Sequence, residues 1–150
     1  MNPPDYLIPY LTAESSLTAL LEAKSGQPLR VQVIKEGYQA IDLYHKKLLN
    51  LPSHRPALAW VREVLLFGSS ESAWVRAKSV FPVNSLVGDA KRLRHLKRTP
   101  IGYVMFKKNR KLPYDRHIFC YDGRYGRATV YDWHGRKLLI EERFLDAFHQ

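Results

Sequence analysis

The sequence is poor in cysteine, in acidic residues and in long apolar runs. Cys120 is its one cysteine. That excludes an intramolecular disulfide and a zinc site built from clustered thiolates, and it favours a reducing, cytoplasmic setting. No stretch approaches the ~18 apolar residues of a membrane-spanning helix; the longest, such as Val64–Phe67, have strand length. The start, Met1–Asp5 (MNPPD), lacks the basic and then apolar pattern of a secretory signal. Acidic residues number 14 against 24 lysines and arginines, a net charge of +10. Such a surface attracts anions, and nucleic acid, acidic lipid and a small dianionic substrate all satisfy it.

What is present is a foldable chain of 150 residues, 45% hydrophobic and 12% aromatic. These values exclude disordered and collagen-like classes and predict one domain over 1–150 with its own core. Ser15 or Ser16 can cap a helix whose apolar stripe is Leu17, Leu20 and Leu21, ended by Gly26 and Pro28. Residues 29–34 alternate as a strand, with a bend or bulge at Gly37. Residues 39–49 read either as a short helix or as an irregular connection. Ala59–Phe67 and Ala73–Val80 read as a hairpin, residues 85–96 as a helix with a basic face, and Thr99–Pro100 as the start of a helix through Phe106. Lys107–Lys111 is a basic loop. Strands follow at 114–121, 125–133 and 137–145, joined at Asp122–Gly123 and His134–Gly135. Helices plus hairpin-linked strands predict an α+β fold on a single antiparallel sheet flanked by helices.

Alternation isolates two charges. One face of the strand from Ala59 carries Trp60, Arg62, Val64 and Leu66; one face of the last strand carries Leu138, Ile140, Glu142 and Phe144. A charge among apolar neighbours needs a partner. Three readings compete: a structural salt bridge between the two, strand ends that reach water, or a pocket holding a polar ligand. Arginine clamps a carboxylate through two hydrogen bonds, and glutamate accepts from a hydroxyl. Together they suit a ligand with a carboxylate at one end and a hydroxyl at the other.

Several segments, in order along 15–145, resemble the chorismate pyruvate-lyase family. Trp60–Leu66 (WVREVLL) and Ala77–Pro82 (AKSVFP) resemble its central hairpin. Val33–Tyr38 (VIKEGY) is similar to its strand ending in Arg-Glu-Gly-Phe, and Lys97–Gly102 (KRTPIG) to its Thr-Pro-Leu-Gly turn. Ser16–Thr18 resembles its first-helix segment, and Tyr125–Arg127 with Gly135–Leu145 its C-terminal hairpin. The chain departs from the pattern in carrying Lys35 and Lys78 for arginine, Leu17 where methionine can occur, and Arg136–Lys137 for Lys-Pro.

The resemblance implies a chorismate lyase-like fold and elimination of pyruvate from chorismate to give 4-hydroxybenzoate, a ubiquinone precursor, without metal or organic cofactor. It places the ring carboxylate on Arg62 and on backbone amides near Leu17 and Ile101, and the ring hydroxyl on Glu142, the two catalytic candidates. Lys78 and Arg127 are the candidate cations for the departing enolpyruvyl carboxylate. Segments 8–24 and 86–106 are candidate lids by analogy. The alternative is a non-catalytic aromatic-acid sensing domain of the same fold, as in some GntR-type repressors. The expected partners are chorismate and its product, acting on a monomer.

Other features carry less. The basic stretch Lys91–Lys111 has few interleaved aromatics and no nucleic-acid motif, so a solvated face that steers a dianion is favoured over nucleic-acid binding. The six histidines show no metal-ligand spacing, and surface or turn positions are the default for each. Cys120, beside Phe119, reads as packed rather than reactive. Trp60, Trp74, Tyr125 and Trp133 read as core aromatics.

Overall fold

The computed structural model describes residues 2–14, 16–107 and 110–150. Six strands form one antiparallel sheet: β1 (Arg30–Ala40), β2 (Leu58–Phe67), β3 (Val75–Pro82), β4 (Tyr114–Tyr121), β5 (Arg124–Trp133) and β6 (Arg136–Phe144). Their spatial order is β1-β2-β3-β6-β5-β4. Three hairpins, β2–β3, β4–β5 and β5–β6, account for most neighbours, and β3 meets β6 across the middle. The β4–β5 and β5–β6 turns use paired left-handed residues, Asp122 and Gly123 (φ 57° and 76°) and His134 and Gly135 (φ 55° and 80°). That geometry matches the strand twist of a tight hairpin.

The strands place their inner-face residues under helices. α1 (Ile8–Thr12) and α2 (Leu17–Ser25) contribute Leu11, Leu17 and Leu21 to a cluster with Val64, Ala77 and Phe144. A second cluster joins Phe81, Leu138 and Ile140 to Leu93, Leu96 and Met105. α3 (Leu43–Leu49) covers part of the outer face, where Leu49 packs with Val61, Val80 and Leu139. The inner face therefore has two apolar clusters with a boundary between them.

Local signals explain most boundaries. Ser16 caps α2 by accepting from the Ala19 amide at 3.3 Å, and Gly26 ends it in the left-handed region (φ 75°); Ser15 lies outside the described residues. Asp42 caps α3, accepting from the His45 amide at 2.8 Å, which settles residues 43–49 as a helix.

Four expectations are corrected. The irregularity in β1 falls between Val33 and Lys35, at the exposed Ile34, while Gly37 pairs regularly with Val61 and the strand runs on to Ala40. The helix expected over 85–96 is a short turn at Val83–Ser85 followed by a 3₁₀ helix, Gly88–His95. Its buried residues Ala90 and Leu93, with Leu96 beyond, recur every third position, the period at which a 3₁₀ helix aligns its side chains. Cys120 is exposed, because it sits at the solvent end of the edge strand β4. His45 is buried, with Nδ1 2.8 Å from Asp42 and Nε2 2.5 Å from Glu141, pinning α3 to β6. Of the basic loop, residues 108 and 109 lie outside the described residues.

The helix expected from Pro100 is a single turn, α4 (Gly102–Met105). It docks on the start of α2, and the Tyr103 hydroxyl donates to the Glu22 carboxylate. Gly102 permits that approach: a Cβ there would lie 2.5 Å from Ser16 Oγ and 2.7 Å from Thr18 Oγ1. Gly102→Ala is expected to cost about 1–3 kcal/mol through overpacking and to lower the melting temperature by several degrees. An unchanged melting temperature would remove this close contact as a constraint on the fold.

Candidate functional site

Between the two inner-face clusters lies a belt of buried polar side chains. Arg62 on β2 stands opposite Ser79 on β3, Ser79 opposite Ile140 on β6, and Ile140 opposite Thr129 on β5. One step along the strands, Val64, Ala77, Glu142 and Arg127 form the parallel row. Arg62, Arg127 and Glu142 are 2%, 1% and 8% exposed. Apolar strands thus carry two cations and an anion into the interior in two neighbouring rows of the sheet.

Arg62 lies beneath the turn that precedes α4. Its Nη2 donates to the carbonyls of Lys97 (2.8 Å) and Thr99 (3.1 Å). Lys97 holds a left-handed backbone (φ 53°) at that turn. The Arg62 Nε–H is buried without an acceptor, and the Glu36 carboxylate stays 3.6 Å away. Burial pushes the Arg62 pKa down from its ordinary value, and Glu36 opposes the shift. An orphaned buried donor on a guanidinium is costly unless an anion completes it.

Glu142 is held by Arg127. Arg127 Nε donates to Glu142 Oε1 at 2.8 Å, and Nη1 donates to the Tyr10 carbonyl at 3.0 Å. Burial alone would lower the Arg127 pKa, but the Glu142 carboxylate together with Tyr131 and Tyr114 holds the guanidinium above its ordinary value. Among the described residues no protein group donates to Glu142 Oε2. That oxygen is free to accept a ligand hydroxyl.

Alternation had isolated Arg62 and Glu142 and left their pairing open. The structure places both on the inner face but bonds each to other groups. It also brings Leu17 and Ile101 together, since Leu17 opens α2 and Ile101 precedes α4 across the Gly102 contact. Lys78 does not join them. It lies on the outer face, opposite Glu63 and 3.7 Å from its carboxylate, which Arg76 also reaches at 3.0 Å.

Sequence reasoning passed over Arg116. Its Nε donates to Thr129 Oγ1 (2.8 Å), Nη1 to the carbonyls of Leu11 (3.1 Å) and Ala13 (2.7 Å), and Nη2 to the Tyr131 hydroxyl (3.2 Å). Burial first, and then the Glu142 charge, push the Tyr131 pKa up, so its hydroxyl stays neutral. The strand alternation that found Arg62 was also available here, because Arg116 shares a strand face with Tyr114, Ile118 and Cys120. Arg116 and Arg127 together fasten the segment Tyr10–Ala13 over the belt. Among the described residues no three His, Cys, Asp or Glu side chains converge as metal ligands.

Residues 1–149 match the family model described as Chorismate lyase. A probable chorismate pyruvate-lyase of Psychrobacter cryohalolentis is 53% identical over 150 residues, covering 97% of this chain and 89% of the relative. A chorismate pyruvate-lyase of Escherichia coli O1:K1 is 30% identical, covering 94% and 83%. Among solved structures, a GntR-family transcriptional regulator from Bacillus cereus superposes with a TM-score of 0.57 at 11% identity, covering 79% of this chain and 92% of that one. The effector domain of PhnF from Mycobacterium smegmatis gives 0.55 at 11% identity, covering 90% and 91%. At such identities the structural likeness speaks for the fold alone. The sequence match runs nearly end to end and joins relatives that share half their residues with it: the chain belongs to the chorismate lyase family.

Proposed function

We propose that this chain is a chorismate pyruvate-lyase that releases 4-hydroxybenzoate, a ubiquinone precursor, acting as a single-domain, cytoplasmic monomer without a cofactor. The observation that carries the reading is the shared burial of Arg62 and Glu142 on one sheet face, two strands apart. Two interstrand spacings separate them by about 10 Å across the sheet, and two residues by about 7 Å along it. With both side chains reaching inward, the remaining gap is on the scale of one six-membered ring. Arg62 Nε, lacking an acceptor, suits the ring carboxylate, and Glu142 Oε2 suits the hydroxyl at the opposite ring position. Backbone amides near Leu17 and Ile101, beside the turn that Arg62 holds, complete the carboxylate end.

The reaction breaks the ring C–O bond to the enolpyruvyl group and removes the hydrogen from the adjacent hydroxyl-bearing carbon. The proton lost from the ring balances the one the leaving enolate gains, the enolpyruvate tautomerises to pyruvate, and the ring becomes aromatic. Aromatisation supplies much of the driving force, so the protein chiefly positions and desolvates the substrate. Arg62 anchors one end and Glu142 the other. Arg127 is a positioning residue for Glu142 and, with Arg116, supplies positive potential for the enolpyruvyl carboxylate and the departing ether oxygen, which gains charge. Lys78 takes no part on this reading, because the sheet lies between it and the belt. The surplus of surface lysine and arginine draws the dianion in.

The test is to mix the purified protein with chorismate and measure 4-hydroxybenzoate and pyruvate together. Equal release is expected. Tight binding of 4-hydroxybenzoate with no turnover would replace this reading by the sensing domain.

Two sets of variants follow. Arg62→Ala should lower kcat/KM by at least about 100-fold, the order of a lost charge-assisted anchor in a desolvated site. Arg62→Lys should fall between it and the wild type, because lysine keeps the charge and loses the fork; wild-type kinetics in Arg62→Ala would remove Arg62 from the site. Glu142→Gln should reduce kcat/KM while its amide oxygen still faces Arg127. Arg127→Leu strands a buried carboxylate and should cost about 3–5 kcal/mol in denaturant unfolding, in addition to activity. An Arg127→Leu protein of wild-type stability would show that the pair is not buried in solution.

A further inference from the structure

A cavity of about 620 Å³ opens at the end of the sheet where β2 begins, β3 ends and the β5–β6 turn closes. It is separate from the polar belt. Along β2, Leu58 precedes Arg62 by four residues, about 13 Å of strand; along β6, Lys137 precedes Glu142 by five, about 17 Å. None of the belt residues lines it.

The walls differ in chemistry. One is apolar, with Leu49, Leu51, Leu58 and Val83. Leu58 and Val83 remain 51% and 38% exposed, although the outer-face cluster begins directly beside them at Ala59. The rest of the lining includes Arg136 and Lys137, and among the described residues no aspartate or glutamate lines the cavity. Among the described residues neither cation has a carboxylate within 4.0 Å, whereas Arg62, Arg76, Lys78, Arg124 and Arg127 each have one. The Arg136 guanidinium reaches only the His134 carbonyl, at 3.3 Å.

The cationic wall is also held in place. The His134–Gly135 turn just before it has both residues left-handed, and Ser85 Oγ donates to the Lys137 carbonyl at 3.0 Å. Arg136 and Lys137 alternate to opposite faces of β6, and Asp132 stands opposite Lys137 in the β5–β6 register without lining the cavity; an anion in a cavity that both cations line gains from either. Uncovered leucine and valine side chains gain when apolar surface leaves water. A cavity of this size and mixed lining is the ordinary form of a small-molecule site.

We propose that this cavity is a second binding site, independent of the reaction chamber, for a small amphipathic anion. The apolar body lies against Leu49, Leu51, Leu58 and Val83. Its carboxylate, sulfonate or phosphate meets Arg136 and Lys137.

The probe is 8-anilinonaphthalene-1-sulfonate, an aryl sulfonate that fluoresces when its rings leave water. Saturable binding at one site per chain is expected. Decanoate should displace the probe and decanol should not. Arg136→Glu with Lys137→Glu should weaken binding at least tenfold, and so should Leu58→Ser, which changes an exposed side chain. Lys91→Glu with Arg92→Glu makes the same change in net charge on the exposed 3₁₀ face and should leave binding within twofold. Melting temperatures establish that each variant is folded. Binding within twofold of wild type in the Arg136/Lys137 variant overturns the proposal. Equal weakening in the Lys91/Arg92 variant overturns it in favour of a net-charge effect. Equal displacement by decanol overturns the anion assignment.

Discussion

The ion pair between Arg127 and Glu142 is the constraint around which the inner face is arranged. Both side chains are buried on adjacent strands, in register, at 2.8 Å. Desolvating two charges costs several kcal/mol each even after relaxation. Their attraction offsets this only when the remaining donors and acceptors are satisfied as well. Arg127 meets that condition by reaching the Tyr10 carbonyl. The pair therefore requires α1 and the residues after it to lie where they do, and a local electrostatic need becomes a tertiary one.

The division of the core follows from this. A continuous apolar face would have let all the covering elements merge into one cluster. Two adjacent rows, carrying Arg62, Ser79 and Thr129 in one and Glu142 and Arg127 in the other, interrupt it instead. α1 and α2 gather on one side, and the 3₁₀ helix with α4 gathers on the other. At the seam where α2 meets α4 the two covering groups touch closely, and there a glycine and two hydroxyl side chains replace bulk.

Much of this was legible in the sequence, for identifiable reasons. Strand alternation is strict when one face is buried, so Arg62 and Glu142 stood out from their own neighbours. Hairpin turns are local, so Asp122–Gly123 and His134–Gly135 could be placed within a residue. What alternation could not show was which charge meets which. Arg127 lies near the start of β5, beside Gly126 and Ala128, where no apolar pattern flags it, and its pairing with Glu142 exists only through the β5–β6 register. The outward position of Lys78 follows from its own alternation with Ala77 and Ser79. The need for a cation near the departing carboxylate, rather than the strand face, is what singled Lys78 out. The basic 3₁₀ segment misled because Leu93 and Leu96 fit a helical stripe as well as a three-residue repeat, and only the third member, Ala90, separates the two.

The same register that buries Glu142 turns Glu141 outward, and the two carboxylates then have opposite tasks. Glu141 receives His45 from α3 at 2.5 Å and anchors the outer helix. Glu142 faces the belt. Neighbouring glutamates on one strand thus hold the two faces of the sheet to different partners, and a one-residue slip of β6 would exchange their faces. Such a slip would also bring Leu139 and Arg143 to the inner face, and in one direction it sets Arg143 opposite Arg127. The pairing of β6 with β3 and β5 is therefore fixed electrostatically as well as by its leucines, and the geometry of the belt inherits that precision from the sheet rather than from the helices that cover it.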